Sequence, residues 1–172
     1  IVQHKKELET RVLARTRQIE RTKRVTVFSL ARLAESRDNE TGHHIKRVAC
    51  YCKVLAETMA MMRGYANTIT PKFVQELYDT SPLHDIGKVG IPDSILCKPG
   101  KLTEEEFEVM KRHTVIGGET LDALAQSHPE ARFLLFARDI AWSHHERFDG
   151  VSSEPARSTR VGSNAAIPFR RR

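Results

Sequence analysis

A histidine and an aspartate stand side by side at His84 and Asp85, and Lys88 follows about one helical turn later. Ser81 is a good N-cap and the proline after it suits the first helical position, so the sequence predicts a short helix over residues 82–87. On this helix His84 and Lys88 would share a face. Imidazole and carboxylate are common ligands of divalent transition metals, and the Lys88 ammonium would face an anionic ligand of such a metal. For the pair alone, a plain His–Asp hydrogen bond is the simpler interpretation.

Other histidines lie near the ends of further predicted helices. A helix predicted from residue 38 or 39 to about residue 62 carries Glu40 and His44, which are four apart and could address one ion. An exposed Glu40 beside Lys or Arg fits the sequence nearly as well. His113 ends a later helix, where an isolated histidine would act as a C-terminal cation. His144 and His145 end the last one.

The run His84-Asp85-Ile86-Gly87-Lys88 resembles the signature of the HD superfamily of metal-dependent phosphohydrolases. The longer stretch over residues 89–93 and 98–103 resembles the HD-GYP branch, which comprises bacterial cyclic di-GMP phosphodiesterases. The similarity extends over about residues 25–150 and is most specific over residues 82–113.

The resemblance implies a set of metal ligands: Glu40, His44, His84, Asp85, His113, His144 and His145. It implies two or three divalent ions, with iron or manganese favoured and zinc also compatible with nitrogen and oxygen ligands. Asp85 would bridge two ions, and a water between them would become the nucleophile. Asp85 and Lys88 are therefore the expected catalytic residues. Lys88 and Arg147 are the expected substrate contacts, although a surface salt bridge suits Arg147 better.

The elements that must position these groups are helices, so the expected fold is all-α, an HD-type helical bundle. Residues 1–35 lack Pro and Gly and predict one long helix. Val12, Ile19, Thr26 and Leu33 repeat every seven residues, a weak coiled-coil seam that allows a homodimer. A solvated helix that docks only at its end fits nearly as well. By resemblance it is the linker from an upstream receiver or sensor domain.

Further predictions concern the elements within the domain. The helix ending near residue 62 should bury Val48, Cys52, Leu55 and Met59. Residues 71–79 should form a helix, and residues 89–92 should be extended before the proline. A capping box formed by Thr103 and Glu106 should start the helix that ends at His113. The glycines at 117–118 should separate it from a helix over residues 119–126, and a last helix should start at Pro129.

After Gly150 the resemblance stops, because a Gly-Tyr-Pro motif and a last aspartate ligand are expected there and are not found. We therefore expect an incomplete hydrolase domain over residues 36–150 and a disordered, aberrant tail over residues 151–172. A frameshift after Gly150 would explain the change, and the other reading frames of the encoding DNA test it. The chain starts at Ile1 rather than Met, which indicates a fragment.

The composition excludes several classes of protein. The 172 residues carry a net charge of +6, concentrated at the termini, and few aromatics, which argues against a nucleic-acid polymer as partner. No apolar run is long enough for a membrane span, and Cys50, Cys52 and Cys97 read as small buried side chains in a reducing, cytoplasmic compartment. The function that the resemblance implies is hydrolysis of cyclic di-GMP in two-component signalling. The alternatives are a degenerate domain that binds metal or a partner, and a phosphohydrolase of another nucleotide.

Overall fold

The computed structural model describes residues 2–37 and 43–146, and over these ranges the fold is all-α, as predicted. Two short 3₁₀ helices, Ser81–Leu83 and Ile86–Gly90, lie between the third and fourth α-helices. The α-helices of the described ranges are α1 (Val2–Glu35), α2 (His44–Ala60), α3 (Pro71–Thr80), α4 (Asp93–Leu96), α5 (Glu104–Ser127) and α6 (Phe133–Ser143).

The long helix α1 contacts the bundle through its C-terminal part. Val27, Ala31 and Ala34 are buried there, whereas Val12 and Ile19 of the heptad pattern are exposed. Within the chain, α1 therefore docks on the bundle only near its C-terminal end, which was the second of the two predictions for this helix. Its roles as a linker and as a dimer contact stay predictions.

An ion pair fixes α1 against α3. The Arg24 Nε donates to the Asp79 Oδ1 at 2.6 Å, and the Gln75 Nε2 donates to the same oxygen at 3.0 Å. Asp79 is buried, so removing either donor would leave a poorly compensated carboxylate. This contact helps to set where α1 ends relative to the rest of the bundle.

Helix α2 begins later than predicted, at His44, after His43 in the N-cap position. Its inward side is formed by Ile45, Ala49 and Ala56. The predicted apolar face was partly wrong, because Leu55 is exposed while the smaller alanines pack inward.

The predicted single helix over residues 82–87 is wrong in form. Helix α3 continues to Thr80, Ser81 lies inside the first 3₁₀ helix rather than capping a new helix, and Asp85 occupies the junction before the second. The extended segment starts only at Ile91, whose φ and ψ are −88° and 133°. Asp85 therefore sits at a bend, and this bend lets it meet residues from several elements.

Helix α5 confirms the predicted capping box, because the Glu106 Oε2 accepts from the Thr103 N–H at 2.8 Å and the Thr103 Oγ1 accepts from the Glu106 N–H. The predicted break at Gly117 and Gly118 is wrong, since the helix runs through both. These glycines serve close packing instead. A Cβ at Gly118 would lie 2.0 Å from the Trp142 ring.

Helix α6 begins at Phe133, four residues after the proline at which we predicted its start, and it packs along α5. Ala137 and Ala141 are fully buried, and beside them Arg138 is buried with its charge paired. The main apolar cluster joins α1, α2, α5, α6 and the first 3₁₀ helix, and its buried members are Val27, Ala31, Ile45, Leu83, Leu121, Ala137 and Ala141.

Some of the residues named in the predictions lie outside the described ranges, and others are exposed rather than buried. Glu40, Arg147 and the tail over residues 151–172 lie outside the described ranges. The prediction that the cysteines are buried is wrong for Cys50 and Cys97, which are exposed. No helix within the described ranges combines the length and the apolar character that a membrane crossing requires.

Substituting Gly87 tests the close approach between the second 3₁₀ helix and α5. A Cβ there would lie 1.9 Å from the His113 carbonyl oxygen and 2.5 Å from the Gly117 nitrogen, so the backbones must separate. We expect Gly87→Ala to lower the free energy of unfolding by about 3 kcal/mol, measured by urea denaturation.

The matched control for that substitution is Gly90→Ala in the same 3₁₀ helix. Its Cβ would meet only the flexible Ile116 side chain, at 3.0–3.1 Å, so we expect a loss of about 1 kcal/mol or less. Equal effects of the two substitutions would contradict the packing that we describe.

Substituting Arg138 tests the charge network between α5 and α6. Its Nη1 donates to the Asp122 Oδ1 and its Nη2 to the Asp139 Oδ1, both at 2.8 Å. Arg138→Ala would leave two carboxylates without their buried partner, so we expect a loss of about 3 kcal/mol in thermal or urea unfolding. The control Arg132→Ala, at an exposed position before α6, should change stability by about 0.5 kcal/mol or less.

Candidate metal centre

Five histidines from four parts of the chain meet at one end of the bundle. His44 is the first residue of α2, His84 precedes Asp85 at the bend, His113 lies within α5, and His144 and His145 directly follow α6. Neighbouring rings lie close together, with centroid separations from 4.3 Å for His144–His145 to 6.0 Å for His44–His84. The structure thus brings together all five histidines that the sequence singled out.

Three of these histidines are each oriented by the same kind of backbone hydrogen bond. The Nδ1 atoms of His84, His113 and His144 lie 3.0, 2.7 and 3.0 Å from the carbonyl oxygens of Ser81, Met110 and Ala141, in each case three residues earlier. A carbonyl oxygen can only accept, so each Nδ1 must carry the proton. This bond fixes the tautomer and directs the Nε2 inward, as is typical of metal-ligating histidines.

Asp85 lies at the centre of these inward-facing nitrogens. Its Oδ1 is 3.3 Å from the His113 Nε2 and 3.4 Å from the His144 Nε2. Its Oδ2 is 3.1 Å from the His84 Nε2 and 3.0 Å from the Lys88 Nζ. The two oxygens therefore address different groups, and Asp85 is only 8% exposed.

At this centre, hydrogen-bond acceptors face one another: the Nε2 lone pairs of the rings and the carboxylate oxygens of Asp85. A neutral imidazole has one N–H, and here it is already donated through Nδ1, so each Nε2 presents a lone pair. The Nε2 atoms of His113 and His144 nevertheless face each other at 3.2 Å, and both face a carboxylate oxygen. Such an arrangement requires a proton or a metal cation between the acceptors.

Without metal, contacts between the rings and Asp85 shift the pKa values of Asp85 and His84 in opposite directions. Burial alone would raise the pKa of Asp85, but hydrogen bonds from the rings of His113, His144 and His84 outweigh it and hold the pKa far below its usual range. Burial would lower the pKa of His84, but its hydrogen bond and charge contact with Asp85 raise it. Asp85 is therefore ionised, and the centre attracts positive charge.

The ligand-type atoms form two groups. Asp85, His113, His144 and His145 each offer one atom that lies within 4.8 Å of the others, and Glu35, His44 and His84 form a second group by the same measure. His84 belongs to the second group and also contacts Asp85, so the groups are adjacent. The donors are nitrogen and oxygen atoms that suit divalent transition metals.

Glu35 of the second group was not predicted from the sequence, and the predicted Glu40 lies outside the described residues. Glu35 is the last residue of α1 and is 5% exposed, and burial raises the pKa of its carboxyl group. A signal did exist, because Val27, Ala31 and Glu35 follow each other at four-residue intervals on the buried face of α1.

A family profile described as the HD domain matches residues 41–164 of this chain. The chain belongs to the HD domain family. Together with the relatives below, this match confirms the recognition of an HD-GYP domain from the sequence.

Three relatives with curated names share this region. The chain is 52% identical over 135 residues to a "Cyclic di-GMP phosphodiesterase" of Vibrio cholerae, and the aligned region covers 78% of this chain and 27% of the relative. It is 41% identical over 129 residues to a "3'3'-cGAMP-specific phosphodiesterase 2" of the same organism (75% and 22% covered). It is also 41% identical over 143 residues to the "Cyclic di-GMP phosphodiesterase response regulator RpfG" of Xanthomonas campestris (83% and 34% covered). The chain thus spans about a fifth to a third of the length of these relatives.

Proposed function

We propose that this chain carries a metal-dependent phosphodiesterase centre that hydrolyses cyclic di-GMP. The observation that carries the proposal is the convergence of acceptor atoms, in which the His113 and His144 Nε2 atoms face each other and the Asp85 Oδ1. Protons can hold such a cluster together only by charging the rings. Divalent cations satisfy every acceptor at once, so the donor set fits a metal centre.

The proposed residues would hold two ions. Asp85, His113, His144 and His145 would hold one, and His44 and His84 would contribute to the other. The Asp85 Oδ1 faces the first group and its Oδ2 faces His84 of the second. Imidazole and carboxylate without thiolate favour iron or manganese, and they also accept zinc. A third ion would need Glu40, which lies outside the described residues.

The protein groups have defined tasks in the proposed reaction. Bound divalent ions would supply a nucleophile from water and positive charge for the phosphoryl oxygens. The backbone carbonyls that accept from the Nδ1 atoms keep the rings in place, and a cation held between these rings and Asp85 would keep the Asp85 carboxylate ionised. Lys88, held 3.0 Å from the Asp85 Oδ2, would place its ammonium beside a substrate phosphate.

The names of the relatives support the substrate class. Cyclic di-GMP is the substrate named for the Vibrio cholerae relative at 52% identity and for the Xanthomonas campestris response regulator. A second candidate is 3'3'-cGAMP, which is named for the relative at 41% identity. The response-regulator name supports a signalling role. With it we propose an upstream receiver or sensor domain, a cytoplasmic location and the cyclic dinucleotide as partner, with no nucleic-acid polymer.

The test is turnover by the full 172-residue chain loaded with Mn²⁺ or Fe²⁺ under reducing conditions. We expect hydrolysis of cyclic di-GMP to the linear dinucleotide or GMP and slower hydrolysis of 3'3'-cGAMP. The products are measured by chromatography. The double substitution His84→Ala, Asp85→Ala should reduce the rate by about 100-fold or more, since removing even one group that stabilises transition-state charge costs about this much.

Two outcomes would contradict the proposed function. A chain that binds metal but hydrolyses neither dinucleotide would instead be a metal-binding module. Equal rates for the unsubstituted chain and the double variant would show that the activity does not come from this centre.

A further inference from the structure

We infer that Glu35 is the carboxylate ligand of the second metal ion, together with His44 and His84. This inference deepens the proposed function, because it names a ligand of the same centre. Neither the motif resemblance nor the relatives assign a role to this residue, and the sequence pointed to Glu40. The inference rests on the surroundings of the Glu35 side chain.

The first observation is an unsatisfied buried acid. Glu35 is 5% exposed, and both of its carboxylate oxygens are buried without a hydrogen-bond partner. Among the described residues only one other side chain shares this property, the hydroxyl of Ser81. A buried carboxylate without donors is costly unless a cation compensates it.

The second observation is what surrounds that acid. One oxygen of Glu35 and one ring nitrogen each from His44 and His84 lie within 4.8 Å of one another. Two ligands that are each about 2.1 Å from one ion lie about 3.4 Å apart in tetrahedral geometry, so these three atoms would move closer together around a bound ion. A carboxylate and two imidazoles form a common ligand set for divalent metals.

The third observation connects this set to the first ion. The His84 Nε2, whose tautomer the Ser81 carbonyl fixes, is 3.1 Å from the Asp85 Oδ2. An ion held by Glu35, His44 and His84 would therefore lie on the Oδ2 side of Asp85, while the Asp85 Oδ1 faces the His113 group. Glu35 would supply the negative charge that the two imidazoles lack.

The experiment compares Glu35→Gln with Glu20→Gln in the full chain. Glutamine has nearly the shape of glutamate but carries no charge and is a weaker ligand. Glu20 lies on the same helix, is exposed, and pairs with Lys23 far from the centre. Glu40→Gln is the third variant in the comparison.

Two quantities are measured for each variant. Bound manganese per chain is measured by elemental analysis after desalting, and thermal unfolding is followed in EDTA and in Mn²⁺.

We expect the unsubstituted chain and Glu20→Gln to retain two ions and Glu35→Gln to retain one, or to bind the second at least about 10-fold more weakly. In EDTA, Glu35→Gln should unfold at the same temperature as the unsubstituted chain or higher, because it removes an unpartnered charge. In Mn²⁺ it should gain less thermal stability than the unsubstituted chain.

Three results would overturn the inference. One is an unchanged metal content and affinity in Glu35→Gln, and another is loss of the second ion in Glu40→Gln alone. The third is a Glu35→Gln chain that is unfolded or clearly less stable in EDTA, which would make Glu35 a structural residue. The outcome is separate from turnover: a chain that binds two ions through Glu35 without hydrolysing a dinucleotide would contradict the proposed function and leave the ligand assignment intact.

Discussion

The organisation of this site follows from one electrostatic conflict. Three α-helices and a bend between two 3₁₀ helices bring imidazole lone pairs and carboxylate oxygens to within 3.1–3.4 Å of each other, with Asp85 in the middle. Acceptors at this distance repel one another unless positive charge lies between them. Three backbone carbonyls hold the Nδ1 protons on the outer side, so the rings cannot relieve the conflict by changing tautomer. Divalent cations would resolve it.

The bundle keeps these acceptors together through contacts that do not themselves bind metal. Gly87 lets the second 3₁₀ helix approach the backbone of α5 closely enough to bring Asp85 near His113. Arg138 ties α6 to α5 through Asp122 and thereby sets the position of His144. Because Glu35 is the last residue of α1, the proposed second ion would also connect the long N-terminal helix to the centre. A change in the position of that helix would then alter the ligand set.

The sequence was sufficient for the helical class, the capping box at Thr103 and the set of histidines, because these depend on local patterns and a specific motif. It failed where long-range packing decides. Gly117 and Gly118 looked like a helix break, but they lie within α5 at points where Gly87 and Trp142 approach. The burial of Glu35 could not be predicted, because it depends on which face of α1 docks, and the exposed heptad positions formed the more regular sequence pattern.

The most direct test of this account is the position of the metal in a crystal of the chain grown with Mn²⁺, located by anomalous scattering. The account predicts a peak about 2.0–2.3 Å from the His113 Nε2, the His144 Nε2 and the Asp85 Oδ1, with each Nδ1 still facing its backbone carbonyl. Manganese bound elsewhere on the chain, with these rings unchanged and no peak among them, would contradict it.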